Sequence, residues 1–370
     1  MQIAIVGAGA SGLFLTKLLS RRKDCRITVF EKAEKAGGKI KASGGGKANL
    51  LHTGITAECY NHPDFMRRFL EKCDDRRMRQ LWESFGMLLR TDEEGRLYPW
   101  SEFSQSVLDT LLDDLPERVS IRCGAEVTRL QPEAGKWRIN DEPTLYDRVV
   151  LCSGSPAGMI ARNRQGYNRY LQSLPLPMTA LAPSLVGFKT LNYPRKLEGC
   201  RVKAEVRLMQ GNREAFRETG EITFKADGLS GIVILNASAH YNRLGRPQDC
   251  HLLLDFLYGQ PGWSLRKHLQ LHRDLCGVLH PKLNALYRRE HFDPQRFRLD
   301  IEDTYDWEGA QVCHGGIPLS CVDENLAVKR FPGLYAAGEL LDIDGVCGGY
   351  NLFFACACAD IIAQTVEHGD

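Results

Sequence analysis

Gln2 to Leu19 reads QIAIVGAGASGLFLTKLL, and three kinds of local structure are written into it. Gln2 to Val6 is a short apolar run rich in β-branched side chains, as in a buried strand. Gly7-Ala8-Gly9-Ala10-Ser11-Gly12 interrupts it, and Leu13, Phe14, Leu15, Leu18 and Leu19 follow at helical spacing. A second apolar run, Cys25 to Phe30, leads to Glu31, nineteen residues past Gly12. Strand, GxGxxG turn, helix, strand and terminal acid make up the dinucleotide-binding fingerprint. Gly7 allows the tight turn, Gly9 admits a pyrophosphate to the backbone, and Gly12 lets the helix pack closely. Ala10 and Ser11 open the helix, whose N-terminus lends partial positive charge, and Glu31 is placed to accept from a ribose hydroxyl. A tight turn with no ligand explains the glycines alone, but not the acid that follows the second strand.

Outward from this unit, 370 residues exceed what one core usually holds, so two domains are expected. A composition of 43% hydrophobic and 25% charged residues excludes a largely disordered or fibrous chain. Forty-eight basic against 46 acidic side chains leave a formal charge of +2, with no global field toward nucleic acid or anionic lipid. MQIAIVGAGASGL has no basic region before its apolar run, and no apolar stretch reaches the roughly 20 residues that span a bilayer. A soluble, cytoplasmic protein is expected. Thirteen cysteines without a CxxC pair fit free thiols, and Cys356 and Cys358 read as small packing residues.

Lys32 follows Glu31, then come Gly37-Gly38-Lys39 and Ser43-Gly44-Gly45-Gly46-Lys47-Ala48-Asn49. Such glycine clusters with lysines between them offer backbone amides and cationic tips for a long dinucleotide and a flat ring. A flexible surface loop is the other reading. Gly124 to Leu130 and Asp147 to Cys152 read as further strands, the latter running into Ser153 and Gly154. Gly333 to Ala337 is another, ending at Gly338 and Glu339, and Leu352 to Val366 reads as a closing helix. If these strands join one sheet, their carboxyl ends gather where an open α/β sheet binds ligands. The fold class is then α/β, a discontinuous Rossmann-like domain over 1–178 and 314–370 with an insertion over 179–313.

In the insertion, Val202, Ala204, Val206 and Leu208 alternate with charged residues, the signature of a half-buried strand. Glu221–Phe224, Ile232–Leu235 and His251–Leu257 read as more strands, and about 262–298 as a small helical piece. The expected insertion is thus antiparallel and β-rich. His268 and His272 lie four apart, but HLQLH lacks a glutamate and a third ligand, so no metal is expected. The basic run Arg67, Arg68, Arg76, Arg77 and Arg79 has the spacing of a solvated helix face.

GAGASG, GGKIKASGGGKAN at 37–49, GRLYPWSEFSQSVLDTL at 95–111, TFKADGLSGIVILNAS at 223–238, HGGIPL at 314–319 and PGLYAAGELLDIDGVCGGYNLFFACA at 332–357 mark a resemblance. In these segments, nearly end to end, the chain resembles the HI0933-like flavoproteins. The resemblance implies noncovalent FAD between the first domain and a β-rich insertion. It places Gly7, Gly9, Ser11 and Gly12 on the pyrophosphate, Glu31 on the adenosine ribose, and Lys32 and Lys39 near the adenosine and phosphates. It places the backbone of Val127 at the adenine edge, and Gly44, Gly45, Gly46 and Asn49 over the flavin. Gly338 and Glu339 match the second ribityl and phosphate motif, and Gly349, Tyr350 and Asn351 the flavin's pyrimidine end. The family's arginine and cysteine are replaced by Lys47 and Ala48, and the histidine and proline of its THxGLSGP pattern by Ala226 and Ile232. The side chains of that last pattern are therefore not this protein's catalytic machinery.

The leading expectation is an FAD-dependent oxidoreductase whose reduced flavin passes a hydride to an activated double bond in a small organic acceptor. Only one GxGxxG is present, so NAD(P)H, as reductant, would visit transiently. A flavin oxidase or dehydrogenase of a small amine or alcohol, and a flavin-binding sensor, including one that recognises RNA, are the alternatives. Net charge argues against the RNA version. Lys225, Asp227, Tyr98 and Tyr350 are candidates to meet substrate or to serve structure. No catalytic residue is assigned, and oligomeric state has no sequence signal.

Overall fold

The computed structural model describes residues 1–164, 167–260 and 264–368. The chain divides into two compact units, Met1–Ala182 with Val312–Asp370, and Pro183–Gln311.

The first unit is built on a five-stranded parallel sheet. Its strands lie in the order Leu334–Ala336, Arg148–Leu151, Gln2–Val6, Arg26–Glu31 and Val119–Cys123. Ile3, Ala4 and Ile5 at its centre are wholly buried, which a strand covered on both faces requires. The helix Ala10–Leu19 packs against the long last helix, Tyr350–His368, which starts two residues earlier than its apolar pattern does. The expected strand over Gly124–Leu130 is corrected. The sheet's edge strand is Val119–Cys123, and Gly124 then turns with φ +69°. Past it, Ala125 N donates to Glu31 O at 2.8 Å, and Thr128 N and Arg129 N donate to the Asn140 side chain. A chain that gives its amides to a side chain forms no ladder, so apolar residues alone misled the reading.

The second unit closes a six-stranded barrel in the order Phe188–Thr190, Gly228–Ser230, Arg213–Phe224, Arg201–Gln210, Cys250–Asp255 and Phe297–Thr304. Ala204, Val206 and Leu208 point into its core as their alternation predicts. Ile232–Leu235, expected as a strand, opens the helix Ile232–Arg243 instead. Its inward set, Val233, Ile234, Ala237 and Tyr241, keeps helical spacing over a longer window than the four apolar residues that suggested a strand. Within 262–298 the helices are Leu265–Leu271 and Pro281–Glu290, and residues 262 and 263 lie outside the described residues. His272 caps the first of these helices, and its ring packs on His268 at 4.6 Å between centroids. Among the described residues no cluster of three or more His, Cys, Asp or Glu could hold a metal ion, and no helix is long and apolar enough to cross a membrane.

Candidate functional site

The carboxyl ends of the parallel strands carry the first unit's glycine turns. Gly7 sits at φ +107°, and a Cβ there would lie 2.4 Å from Cys152 O. A Cβ on Gly12 would lie 2.0 Å from Gly7 O. Both positions therefore exclude any side chain, and they bring the Ala10–Leu19 helix hard against the strand ends. The Cys152 thiol, buried beneath this turn, is pushed up to about 12 by desolvation. Gly9 is different: nothing lies within 4 Å of where its Cβ would be. It is the N-cap of the helix, and no side chain caps the turn. The result is an open approach to an uncapped, positive helix end, which suits an anion.

Glu31 closes one side of this approach. Its carboxylate accepts from Ala8 N and from Ala33 N, both at 2.8 Å, one on each oxygen. Each oxygen keeps lone-pair capacity for a hydroxyl, as a ribose requires. Lys32 lies over the Tyr167 ring at 6.0 Å. Val127 is buried in the irregular segment beyond Ala125, which hangs from Glu31 O.

Gly37 N donates to Ala8 O at 2.8 Å, and Gly38 opens the short helix Gly38–Ala42. Ser43 Oγ closes that helix on Ile40 O at 2.7 Å. Gly44, Gly45 and Gly46 follow with φ of +55°, +64° and +90°, a left-handed run only glycine sustains cheaply. Asn49, with its amide oriented to satisfy both groups, donates to Leu51 O at 3.1 Å and accepts from Gly349 N at 3.2 Å. Thus the glycine turn at 43–46 is tied through Asn49 to the start of the last helix.

Lys39 and Glu339 are coupled to each other. The ammonium lies 3.2 Å from Glu339 Oε2 and 2.9 Å from Ser155 O, while Ser155 Oγ donates to the same carboxylate at 2.8 Å. Cys313 N donates to Glu339 Oε1 at 3.2 Å. Gly338, at φ +65°, approaches Ser11 so closely that a Cβ would sit 3.2 Å from its Oγ. Ser153 Oγ meets the Tyr170 hydroxyl at 2.6 Å, and the Tyr167 hydroxyl donates to Gly154 O.

At the last helix, the Tyr350 ring stacks on His52 at 5.0 Å, and its carbonyl accepts from Tyr60 at 2.9 Å. The Asn351 side chain brackets Gly345, accepting from its N at 2.9 Å and donating to its O at 3.1 Å. Both side chains thus serve the loop, and the helix presents its N-terminal backbone there. In the second unit the loop Lys225–Asp227 is anchored by two tyrosines. Tyr305 donates to Asp227 Oδ1 at 2.5 Å, and Tyr193 donates to Lys225 O. Tyr98 is half-buried, and burial raises its hydroxyl above the usual phenol value.

Sequence reading missed one cluster. Asp342 and Asp344 are buried between Asn61, His62, Thr179 and His314. Asp344 and Asp342 were visible only as two acids in a glycine-rich loop, and His314 only as part of HGGIPL; no spacing in sequence joins residues 61, 314 and 344.

A family model described as HI0933-like protein Rossmann domain matches residues 1–365. The chain belongs to this family. Membership in this HI0933-like flavoprotein family implies FAD and flavin-dependent oxidoreductase chemistry. The chain is 30% identical over 396 residues to the 3-dehydro-bile acid delta(4,6)-reductase of Clostridium scindens, covering 96% of each. It is 25% identical over 398 residues to the ribosomal RNA dihydrouridine synthase of Escherichia coli, covering 97% of this chain and 96% of that one. Among solved structures, an E. coli quinol fumarate reductase chain aligns with a TM-score of 0.49 and 17% identity, over 100% of this chain and 72% of that one.

The site's own chemistry fits this HI0933-like assignment. Open space over Gly9, the uncapped helix end and the doubly anchored Glu31 carboxylate match a pyrophosphate and a ribose.

Proposed function

We propose that this protein reduces a carbon–carbon double bond conjugated to a carbonyl in a small organic acceptor, using FAD and taking electrons from NAD(P)H. The observation that carries the reading is the near-full-length similarity to a relative named as a delta(4,6)-reductase of a 3-dehydro bile acid. A second full-length relative is named for making dihydrouridine. In chemical terms, a 3-oxo group conjugated to double bonds and the 5,6-bond of uracil are both electron-poor alkenes. The reading takes from the two relatives this shared chemistry.

Bound FAD would supply hydride chemistry. The residues of the chain hold and tune it. The Ala10–Leu19 helix end binds the pyrophosphate and Glu31 orients the ribose. The three-glycine turn at Gly44–Gly46 covers the ring without side chains. The Tyr350–His368 helix aims its positive end past Gly349, which favours negative charge on a reduced ring. With one GxGxxG in the chain, NAD(P)H docks without a domain of its own.

The chain's near-neutral formal charge of +2 supports a small molecule over RNA. Arg207, Arg217, Arg246, Arg288 and Arg298 each pair with a neighbouring carboxylate within their own unit. Basic groups already neutralised make poor phosphate trackers. Holoprotein photoreduced without oxygen should be reoxidised within seconds by a steroid 4,6-dien-3-one, and left reduced by a uridine-containing oligoribonucleotide. Reoxidation by the oligonucleotide alone would transfer the reading to RNA, and reoxidation by neither would remove it.

A further inference from the structure

In the first unit the strands Leu89–Thr91 and Arg96–Pro99 form a hairpin whose side chains alternate between core and water. Leu89, Leu97 and Pro99 are buried. One step further along, Trp100 N donates to Leu88 O at 2.8 Å, so Leu88 and Trp100 stand opposite each other on the outer face, in the same row as Arg90. The chain then turns, Glu102 N donating to Pro99 O at 2.8 Å, and Phe103 is the N-cap of the helix Ser104–Leu112. Leu88, Trp100 and Phe103 are 60%, 62% and 60% exposed. Three large apolar side chains within one hairpin and its turn thus project into water, and such a cluster marks a docking surface.

Cations fringe this cluster. The Arg90 guanidinium lies over the Trp100 ring at 5.9 Å and pairs with Glu102 Oε1 at 2.5 Å, while Lys47 pairs with Glu102 Oε2 at 2.7 Å. Lys41 is exposed next to the start of the helix, its carbonyl accepting from Ser104 Oγ at 2.9 Å. Lys41, Lys47 and Arg90 are thus set against the Glu102 carboxylate. Asp92, Glu93 and Glu94 lie at the far tip of the hairpin, where Arg96 pairs with Asp92 and Glu94. Over the whole chain the formal charge is only +2, so the positive field here is local.

We propose that this face docks on an anionic lipid bilayer, with Leu88, Trp100 and Phe103 entering the headgroup region and Lys41, Lys47 and Arg90 meeting lipid phosphates. An indole ring, apolar with one polar edge, suits that boundary. Lysine and arginine at the fringe add an attraction to anionic lipid that reaches about a Debye length. A second copy of the chain is the poorer occupant, because a two-fold contact would set the same three cations against themselves. The proposal stands apart from the flavin and the acceptor, and asks only that the first unit be folded.

The test is flotation of the purified protein with vesicles, phosphatidylcholine alone against phosphatidylcholine carrying about one-third phosphatidylglycerol. Wild type should float with the anionic vesicles, roughly tenfold less with the neutral ones, and high salt should release it. Trp100→Ser combined with Phe103→Ser should weaken flotation about tenfold or more, with the melting temperature and bound FAD unchanged. Lys41→Glu should weaken binding to anionic vesicles and leave binding to neutral ones as it was. Wild type that floats with neither vesicle, or equally with both, overturns the proposal, as does a double variant that floats as well as wild type. A dimeric wild type that does not float, made monomeric by the double variant, overturns it in favour of a second copy.

Discussion

Gly9→Asp should yield a folded protein without flavin. The new Cβ meets no atom within 4 Å, so the backbone accommodates it. Gly9 already has the extended backbone of an N-cap, at φ −89° and ψ −160°, and aspartate is a favourable residue there. The apoprotein should therefore melt no lower than wild-type apoprotein. The carboxylate, however, occupies the approach to the uncapped helix end and sets like charge against a pyrophosphate. Such a juxtaposition costs about 3 kcal/mol or more, roughly a 100-fold loss of affinity. Absorbance at the flavin band against protein concentration checks it, with Gly9→Ala expected to retain FAD. Stoichiometric FAD in the aspartate variant would remove the pyrophosphate from this turn. Gly12→Ala, by contrast, should damage folding itself, because its Cβ has backbone 2.0 Å away.

A large stability effect that leaves the fold intact is expected at Arg77. Its guanidinium donates from Nε and Nη2 to the Asp360 carboxylate at 2.5 and 2.8 Å, and Gln364 adds a third bond at 2.8 Å. Asp360 is 1% exposed, on the last helix. Arg77→Met leaves that carboxylate buried with no cationic partner, only the Gln364 amide and the neutral Cys73 thiol, which costs about 3 kcal/mol. For a chain of 370 residues that lowers the melting temperature by roughly 4 °C. Adding Asp360→Leu should restore much of it, since a buried pair replaced by apolar groups is nearly neutral. Thermal denaturation of the two variants in the same buffer decides the matter. Equal melting of wild type and Arg77→Met would show that the pair carries no stability.

Arg77 also marks where the sequence could be read and where it could not. In the run from Arg67 to Arg79 the spacing predicts a solvated face. Arg79 obeys it, pairing with Glu83 one turn on, and Arg67 pairs with Asp64 and Glu58. Arg77 departs because its partner lies 283 positions away, which no local pattern reveals. The same division holds at the site. The strand, glycine turn, helix and Glu31 were legible because each rests on local geometry: a turn that no Cβ fits, a helix end, and an acid at the end of a strand. The roles of Lys39 and Glu339 were not legible as a pair, since the salt bridge between them is long-range. Asn351 and Tyr350 open the last helix, and their side chains brace Gly345 and His52. The Asn61, His314 and Asp344 cluster escaped entirely, because three distant segments build it. In the barrel unit, alternation along Arg201–Gln210 gave a strand directly, whereas the short run at Ile232–Leu235 had too few residues to separate a period of two from one of 3.6.

The most direct test of the central claim is an anaerobic titration of the purified holoprotein with NADH and then NADPH, following the flavin's visible absorbance. A yellow protein bleached by one of the two nucleotides within a few equivalents is the expected result. A yellow protein that neither nucleotide reduces would contradict the proposed electron source, and a colourless protein that cannot be reconstituted with FAD would contradict the account at its foundation.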